Sequence, residues 1–147
     1  MRLLVAIDFA DVTETILKVA GSVAKTTGAA VYIIHVAEPD PSFVGYQAGP
    51  DVVRDQVAHE FREQHRALQA NAERMRSGGL EATALLVQGP TAKTLLNEAD
   101  RLQIDLIVMG THGRSSVMEV LVGSVSHAVL RITTIPVLLV PVRRKET

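Results

Sequence analysis

Glycines and hydroxyl residues gather in one part of the chain. Met109-Gly110-Thr111-His112-Gly113-Arg114-Ser115-Ser116 follows an apolar run, and Gly123-Ser124-Val125-Ser126 begins ten residues beyond Gly113, where a helical pattern starts. A glycine directly after a strand lets backbone approach a ligand closely and permits the positive φ that turns successive N–H groups toward one anion. Gly110 and Gly113 suit that task. Gly123 opens a helix whose first N–H groups lack partners within the helix and whose dipole is positive at that end, so a phosphate can be held there without lysine or arginine. Ser124 and Ser126 add hydroxyl donors. The chemistry implied is capture of a phosphorylated small molecule.

Elsewhere the pattern is thinner. Asp8 and Val36 close the first two apolar runs, and Gly89 and Gly110 follow two later ones, so all four stand where open α/β sheets bind ligands, at the carboxyl ends of strands. Asp8 and Asp11 offer two carboxylates for a cation, but Asp11 is better explained as the N-cap of the next helix. His112 has no carboxylate near it in sequence to orient it as a proton carrier and reads as a turn residue, while Arg114 reads as a solvated loop residue. His35, His59, His65 and His127 show no metal-ligand spacing. The absence of cysteine removes thiolate metal sites, thiol nucleophiles and disulfides. Neither the P-loop pattern nor a Gly-x-Gly-x-x-Gly turn after the first strand is present. A receiver domain needs an aspartate and a lysine where Gln88-Gly89 and Val140-Pro141 stand.

These residues need a scaffold. Runs with the Val/Ile/Leu character of strands buried on both faces occur at Leu3 to Ile7, Val31 to Val36, Ile104 to Met109 and Val137 to Val140, with a weaker one at Ala82 to Val87. Helical spacing fills the gaps between them, and strict alternation predicts an α/β fold: an open parallel sheet with helices on both faces, Rossmann-like. The first helix runs from about Val12 to Thr27, where Gly28 stops it, with Ile16, Val19, Ala20 and Val23 inward. The second spans about Pro50 to Arg76 with Val53, Val57, Phe61, Leu68, Ala72 and Met75 on its apolar stripe. A third covers about Thr91 to Leu102, and a fourth runs from close to Gly123 to about Arg131. The irregular segment Ala37 to Gly49 is long enough to be either a lid or a plain connector.

Composition narrows the class. With 147 residues, 47% apolar and 21% charged, the chain can bury a core as a single domain over residues 1–147. A formal net charge of -1 supplies no basic surface for nucleic acid or an acidic membrane, and Arg143-Arg144-Lys145 reads as a solvated tail. No stretch reaches the roughly eighteen apolar residues needed to span a bilayer, and the N-terminal apolar run is too short for a secretory signal. The expectation is a cytoplasmic protein that partners neither nucleic acid nor membrane.

The full spacing says more than its parts. Gly, two residues, Gly, nine residues, then Gly-Ser resembles the ATP-binding motif of the universal stress protein family, and Gly110, Gly113, Gly123 and Ser124 fill every position. Val5-Ala6-Ile7-Asp8-Phe9, His35-Val36, Leu106-Ile107-Val108-Met109 and Ile135-Pro136-Val137-Leu138-Leu139-Val140 look like that family too, although residues 37 to 80 carry no specific motif. The resemblance implies a five-stranded sheet in the order 3-2-1-4-5 and a homodimer formed through the last strand. It also implies that Asp8 lies by the nucleoside, that Val36 offers backbone to the adenine edge, and that Met109, Gly110 and Gly113 flank the ribose and phosphates. Gly123, Ser124, Val125 and Ser126 would then hold the phosphate chain. Ala6 departs from the proline of some nucleotide-binding members and touches the adenine side.

The function so implied is a dimeric, nucleotide-dependent sensor or switch in stress response, with ATP, or AMP or ADP, as ligand. Mg²⁺ or Mn²⁺ would be carried by the phosphates rather than by a protein cage. No base positioned by a third group is visible, so no catalytic residue and at most very slow ATP hydrolysis are expected. Two alternatives stand: a dimeric interaction module independent of nucleotide, since some relatives lack ATP binding, and a sensor of AMP or a cyclic nucleotide.

Overall fold

The computed structural model describes residues 1–10, 12–38, 50–111 and 122–141. Strand and helix alternate as β1 (Arg2–Ala6), α1 (Thr13–Thr27), β2 (Ala30–Ala37), α2 (Pro50–Ser77), β3 (Ala82–Gln88), α3 (Thr91–Arg101), β4 (Leu106–Gly110), α4 (Ser124–Ile132) and β5 (Val137–Val140). Every strand pairing is parallel, and the sheet runs β3-β2-β1-β4-β5, the order the family resemblance implies.

Ladder pairing, not the apolar run, sets the strand ends. The Ile104 N–H is committed to the Ala99 carbonyl, which closes α3, so β4 starts later than the apolar run does; Gly110 joins it by pairing with Val140. α1 stops at Gly28, whose φ of 71° is left-handed and whose N–H donates to the Ala24 carbonyl.

Side-chain alternation sorts the core to the two faces of the sheet. Leu3 and Val5 point to one face with Val31, Ile33 and Val108, where Ile16, Leu17, Ala20 and Ala24 of α1 and Leu68, Ala72 and Met75 of α2 cover them. Leu4, Ile34 and Ile107 point to the other face, under Leu95 and Ala99 of α3 and Val129 of α4. Leu3, Leu4 and Val5 are wholly buried, each contributing about 1.5–3 kcal/mol by leaving water.

The apolar stripe of α2 is only half used. Leu68, Ala72 and Met75 are buried as expected, but Val57 is 41% exposed and Phe61 half-buried; the Val53 side chain lies outside the described residues. A helix of 28 residues is about 42 Å long, whereas strands of four to eight residues span about 13–26 Å, so the first half of α2 outruns the sheet that would cover it. Among the described residues no helix is long and apolar enough to cross a membrane.

Candidate functional site

Strand order reverses at β1, which has β2 on one side and β4 on the other, so the crevice of this sheet lies beyond the carboxyl ends of β1 and β4. The turn after β1 is tightly held. Asp8 accepts the Ala10 N–H on Oδ1 at 3.0 Å, and Phe9 adopts a φ of 61°, in the left-handed region that few side chains enter. His35 of β2 donates from Nδ1 to the Ile7 carbonyl at 2.9 Å, and its ring meets the Phe9 ring with centroids 4.7 Å apart. Asp8 is thereby fixed at the mouth of the crevice.

Backbone direction exposes a second feature. The Ile34 carbonyl accepts the Ile7 N–H at 3.0 Å, so Ile34 directs its polar groups toward β1, while Ala37 directs its carbonyl to Gly89 on the other side. Strand alternation turns Val36 the same way as Ile34, past the point where β1 has ended. One donor and one acceptor of Val36 therefore face the crevice.

On the β4 side the chain returns on itself. Thr111 donates its N–H to the Val140 carbonyl at 3.0 Å and accepts the Gly123 N–H on its own carbonyl at 2.6 Å. α4 starts one residue later than Gly123, which is its N-cap. The first helical bond runs from the His127 N–H to the Gly123 carbonyl, so the N–H groups of Ser124, Val125 and Ser126 have no partner among the described residues. Among the described residues no side chain caps this helix, and no acid sits in its first turn, so none of them compensates the positive end of the dipole.

The Ser126 hydroxyl differs from expectation. It is buried and donates to the Gly110 carbonyl at 2.8 Å, so its hydrogen latches α4 to the end of β4 and only the Ser126 N–H remains to offer. Positive φ also plays no part at Gly110 or Gly123: Gly110 is a strand residue, and Gly123 is extended at φ -67°, ψ 166°.

Ala6, Val36, Met109 and Val125 come together on one face of the sheet, in the cluster beneath α3 and α4, although they are distant in sequence. Gly110, Gly123 and Ser126 adjoin them through the contacts just given, and Ser124 follows Gly123 as the first residue of α4. Gly113, with His112 and Arg114, lies outside the described residues, as do Asp11 and the segment 39–49. For α1 the N-cap is Val12, with no side-chain cap.

Sequence reading named His35 and Phe9 only for their likeness to the family and missed Glu38. His35 of β2 meets Phe9 of the turn after β1 in a ring contact, and Glu38 caps α3 from the end of β2. Its carboxylate accepts both the hydroxyl and the N–H of Thr91, the latter at 3.1 Å, and these bonds hold its carboxyl below the usual range. Glu38 and Thr91 are 53 residues apart, so no local pattern could reveal the pair. Among the described residues no group of three or more His, Asp or Glu could hold a metal ion.

An open parallel sheet with helices on both faces and a reversal of strand order at β1 defines the Rossmann-like class of α/β proteins. The universal stress protein family model matches residues 1–141. Universal stress protein YxiE of Bacillus subtilis is 33% identical over 144 residues, covering 95% of this chain and 97% of that protein. The chain belongs to the universal stress protein family. The solved structure of hypothetical protein MJ0577, from Methanocaldococcus jannaschii, superposes with a TM-score of 0.85 at 21% identity, covering 99% of this chain and 97% of that one. A universal stress protein in complex with cAMP gives a TM-score of 0.70 at 22% identity, with 96% of each chain covered. The universal stress protein from Archaeoglobus fulgidus in complex with dAMP gives 0.64 at 22%, with 95% and 96% covered.

Proposed function

We propose that this chain is a cytoplasmic, dimeric, nucleotide-dependent switch of the stress response that binds ATP in the crevice between β1 and β4. The observation that carries the reading is the start of α4, where three adjacent N–H groups, without partners among the described residues, meet the end of β4 beside the strand-order reversal. The N–H groups of Ser124, Val125 and Ser126 are the proposed phosphate contacts, with the Ser124 hydroxyl beside them and Gly113 assigned to the same task by family resemblance. Val36 offers the adenine edge one donor and one acceptor, Ala6 and Met109 supply apolar contact, and Asp8 is the ribose partner. Mg²⁺ or Mn²⁺ would arrive with the phosphates.

Adenine nucleotides in two related folds, cAMP in one and dAMP in the other, support an adenine-shaped site. They equally favour a second reading, in which a monophosphate or cyclic nucleotide is the physiological ligand. Dimerisation through β5 is supported by its edge position and by half-buried Val137, Leu138 and Leu139, since an uncovered apolar edge invites pairing with another chain. Titration calorimetry with ATP, ADP, AMP and cAMP tests the ligand. ATP should bind most tightly; tighter binding of AMP or cAMP selects the second reading, and no binding by any of the four refutes both. Light scattering at micromolar concentration should give the mass of a dimer.

A further inference from the structure

On the face of the sheet opposite α4, helices α1 and α2 leave an open groove of about 570 Å³ between them. That volume falls in the range of about 300–1,000 Å³ typical of small-molecule sites. Its floor is apolar, built from Leu17, Met75 and Leu80, and its rim carries Lys18 and Lys25 two turns apart on α1. Arg74 also lines it, but its guanidinium is already spent on Glu14 at 2.7 Å and on Asn71 at 2.6 Å. Lys18 and Lys25 have no ion-pair partner among the described residues, on a chain whose formal net charge is -1.

Gly21 lies between these lysines, in the interior of α1. Glycine is a poor residue there because it has the most backbone freedom to lose on folding. Packing within the chain does not require it: a Cβ built at Gly21 meets only the Leu80 Cδ1, at an ordinary 3.9 Å. The absent side chain deepens the groove floor between two cations that have no ion-pair partner among the described residues.

We infer that the α1–α2 groove binds a small amphipathic anion, its apolar body seated over Gly21 and Leu80 and its carboxylate or phosphate taken by Lys18 and Lys25. The site is separate from the nucleotide crevice and does not depend on that reading.

Amide chemical shifts of the intact protein, followed during titration with decanoate, decyl phosphate and decanol below their aggregation limits, test this directly. Decanoate or decyl phosphate should move the amides of Lys18, Gly21, Lys25 and Gly78, and the tighter of the two identifies the head group. Replacing both lysines, Lys18→Gln with Lys25→Gln, should weaken that binding at least tenfold. Gly21→Ala, a better helix former that keeps the fold, should weaken it as well by raising the floor. Decanol binding as tightly as either anion, or unchanged affinity in the lysine double variant, would overturn the proposal. So would displacement of the bound anion by ATP, because that would put it in the crevice.

Discussion

Replacing Gly123 by valine separates a glycine that serves a ligand from one that serves a turn. Its φ of -67° and ψ of 166° are open to any residue, and its N–H bond to Thr111 survives the change, so the fold should persist. Valine is a poor N-cap, which costs about 1 kcal/mol and lowers the melting temperature by about 2–4 °C. The effect on binding should be larger. A branched side chain at the mouth of α4 would hold phosphates away from the N–H groups of Ser124, Val125 and Ser126, whose charge-assisted bonds are worth about 1.5–3 kcal/mol each. Loss of two at the lower figure is about 3 kcal/mol, or roughly a hundredfold in affinity. Ser124→Ala keeps all three backbone donors and should cost only about tenfold, near 1.4 kcal/mol. Calorimetric titration of ATP into both variants, with circular dichroism to verify fold, measures the two losses. Unchanged affinity in folded Gly123→Val would refute the placement of the phosphates at α4, and a greater loss in Ser124→Ala would assign the binding to a hydroxyl instead of the helix end.

Three further outcomes test the scaffold around the crevice. Ser126→Ala removes the latch and leaves the Gly110 carbonyl without its partner, so denaturant unfolding should show a loss of about 1–2 kcal/mol; stability within 0.3 kcal/mol of wild type, on the order of ordinary surface scatter, would contradict it. Gly89→Ala should destabilise by about 1–3 kcal/mol in a thermal melt, because φ at Gly89 is 148° and a Cβ there would collide with the Thr94 hydroxyl. Glu38 has its carboxyl value lowered in the folded state by its bonds from Thr91, so its contribution is present above the unfolded value near 4.5 and is lost as pH falls through the lower folded value. The stability gap between wild type and Glu38→Gln, measured in urea, should therefore be open at neutral pH and close on acidification; a gap that persists in acid would show that the bonds to Thr91 are not its source.

The architecture was legible because it rests on local periodicity. Apolar runs at β1, β2 and β4 are buried on both faces, and that condition writes itself directly into sequence as continuous Val, Ile and Leu; β5, at the sheet edge, carries the same pattern although only Val140 is fully buried. Strand order was not legible this way; it came from family resemblance, since periodicity carries no information about which strands are neighbours. The stripe of α2 misled for a related reason: Val57 keeps helical spacing with Leu68 and Ala72, but nothing in the spacing records where the sheet beneath it ends. The site divides along the same line. A helix start at Gly123 without an acid in its first turn is displayed by sequence, whereas the Ser126 latch, the His35–Phe9 contact and the Glu38 cap each join residues from different elements.

Gly110 and Gly123 bear on function because backbone conformation does not require glycine at either position. Gly28, Gly79 and Gly89 hold positive φ, and the backbone alone accounts for them. Gly110 and Gly123 do not, although both flank the crevice. At Gly123 a serine, threonine or aspartate would also cap α4 with its own side chain, which is the ordinary way to satisfy the first N–H groups. Glycine forgoes that cap and leaves three donors without a partner among the described residues. A self-capped helix start would already be neutralised, whereas on the proposed reading this one receives an external anion, and Ser126 holds it against β4 by a bond that consumes none of the three N–H groups. A side-chain cap introduced by Gly123→Asp should thus stabilise the free protein by a few tenths of a kcal/mol and weaken ATP at the same time, both by occupying a donor and by setting a carboxylate against the phosphates. Thermal melts with and without ATP would read both effects in one sample series. A variant that gained stability without losing affinity would mean that the bare helix start is not where the phosphates bind.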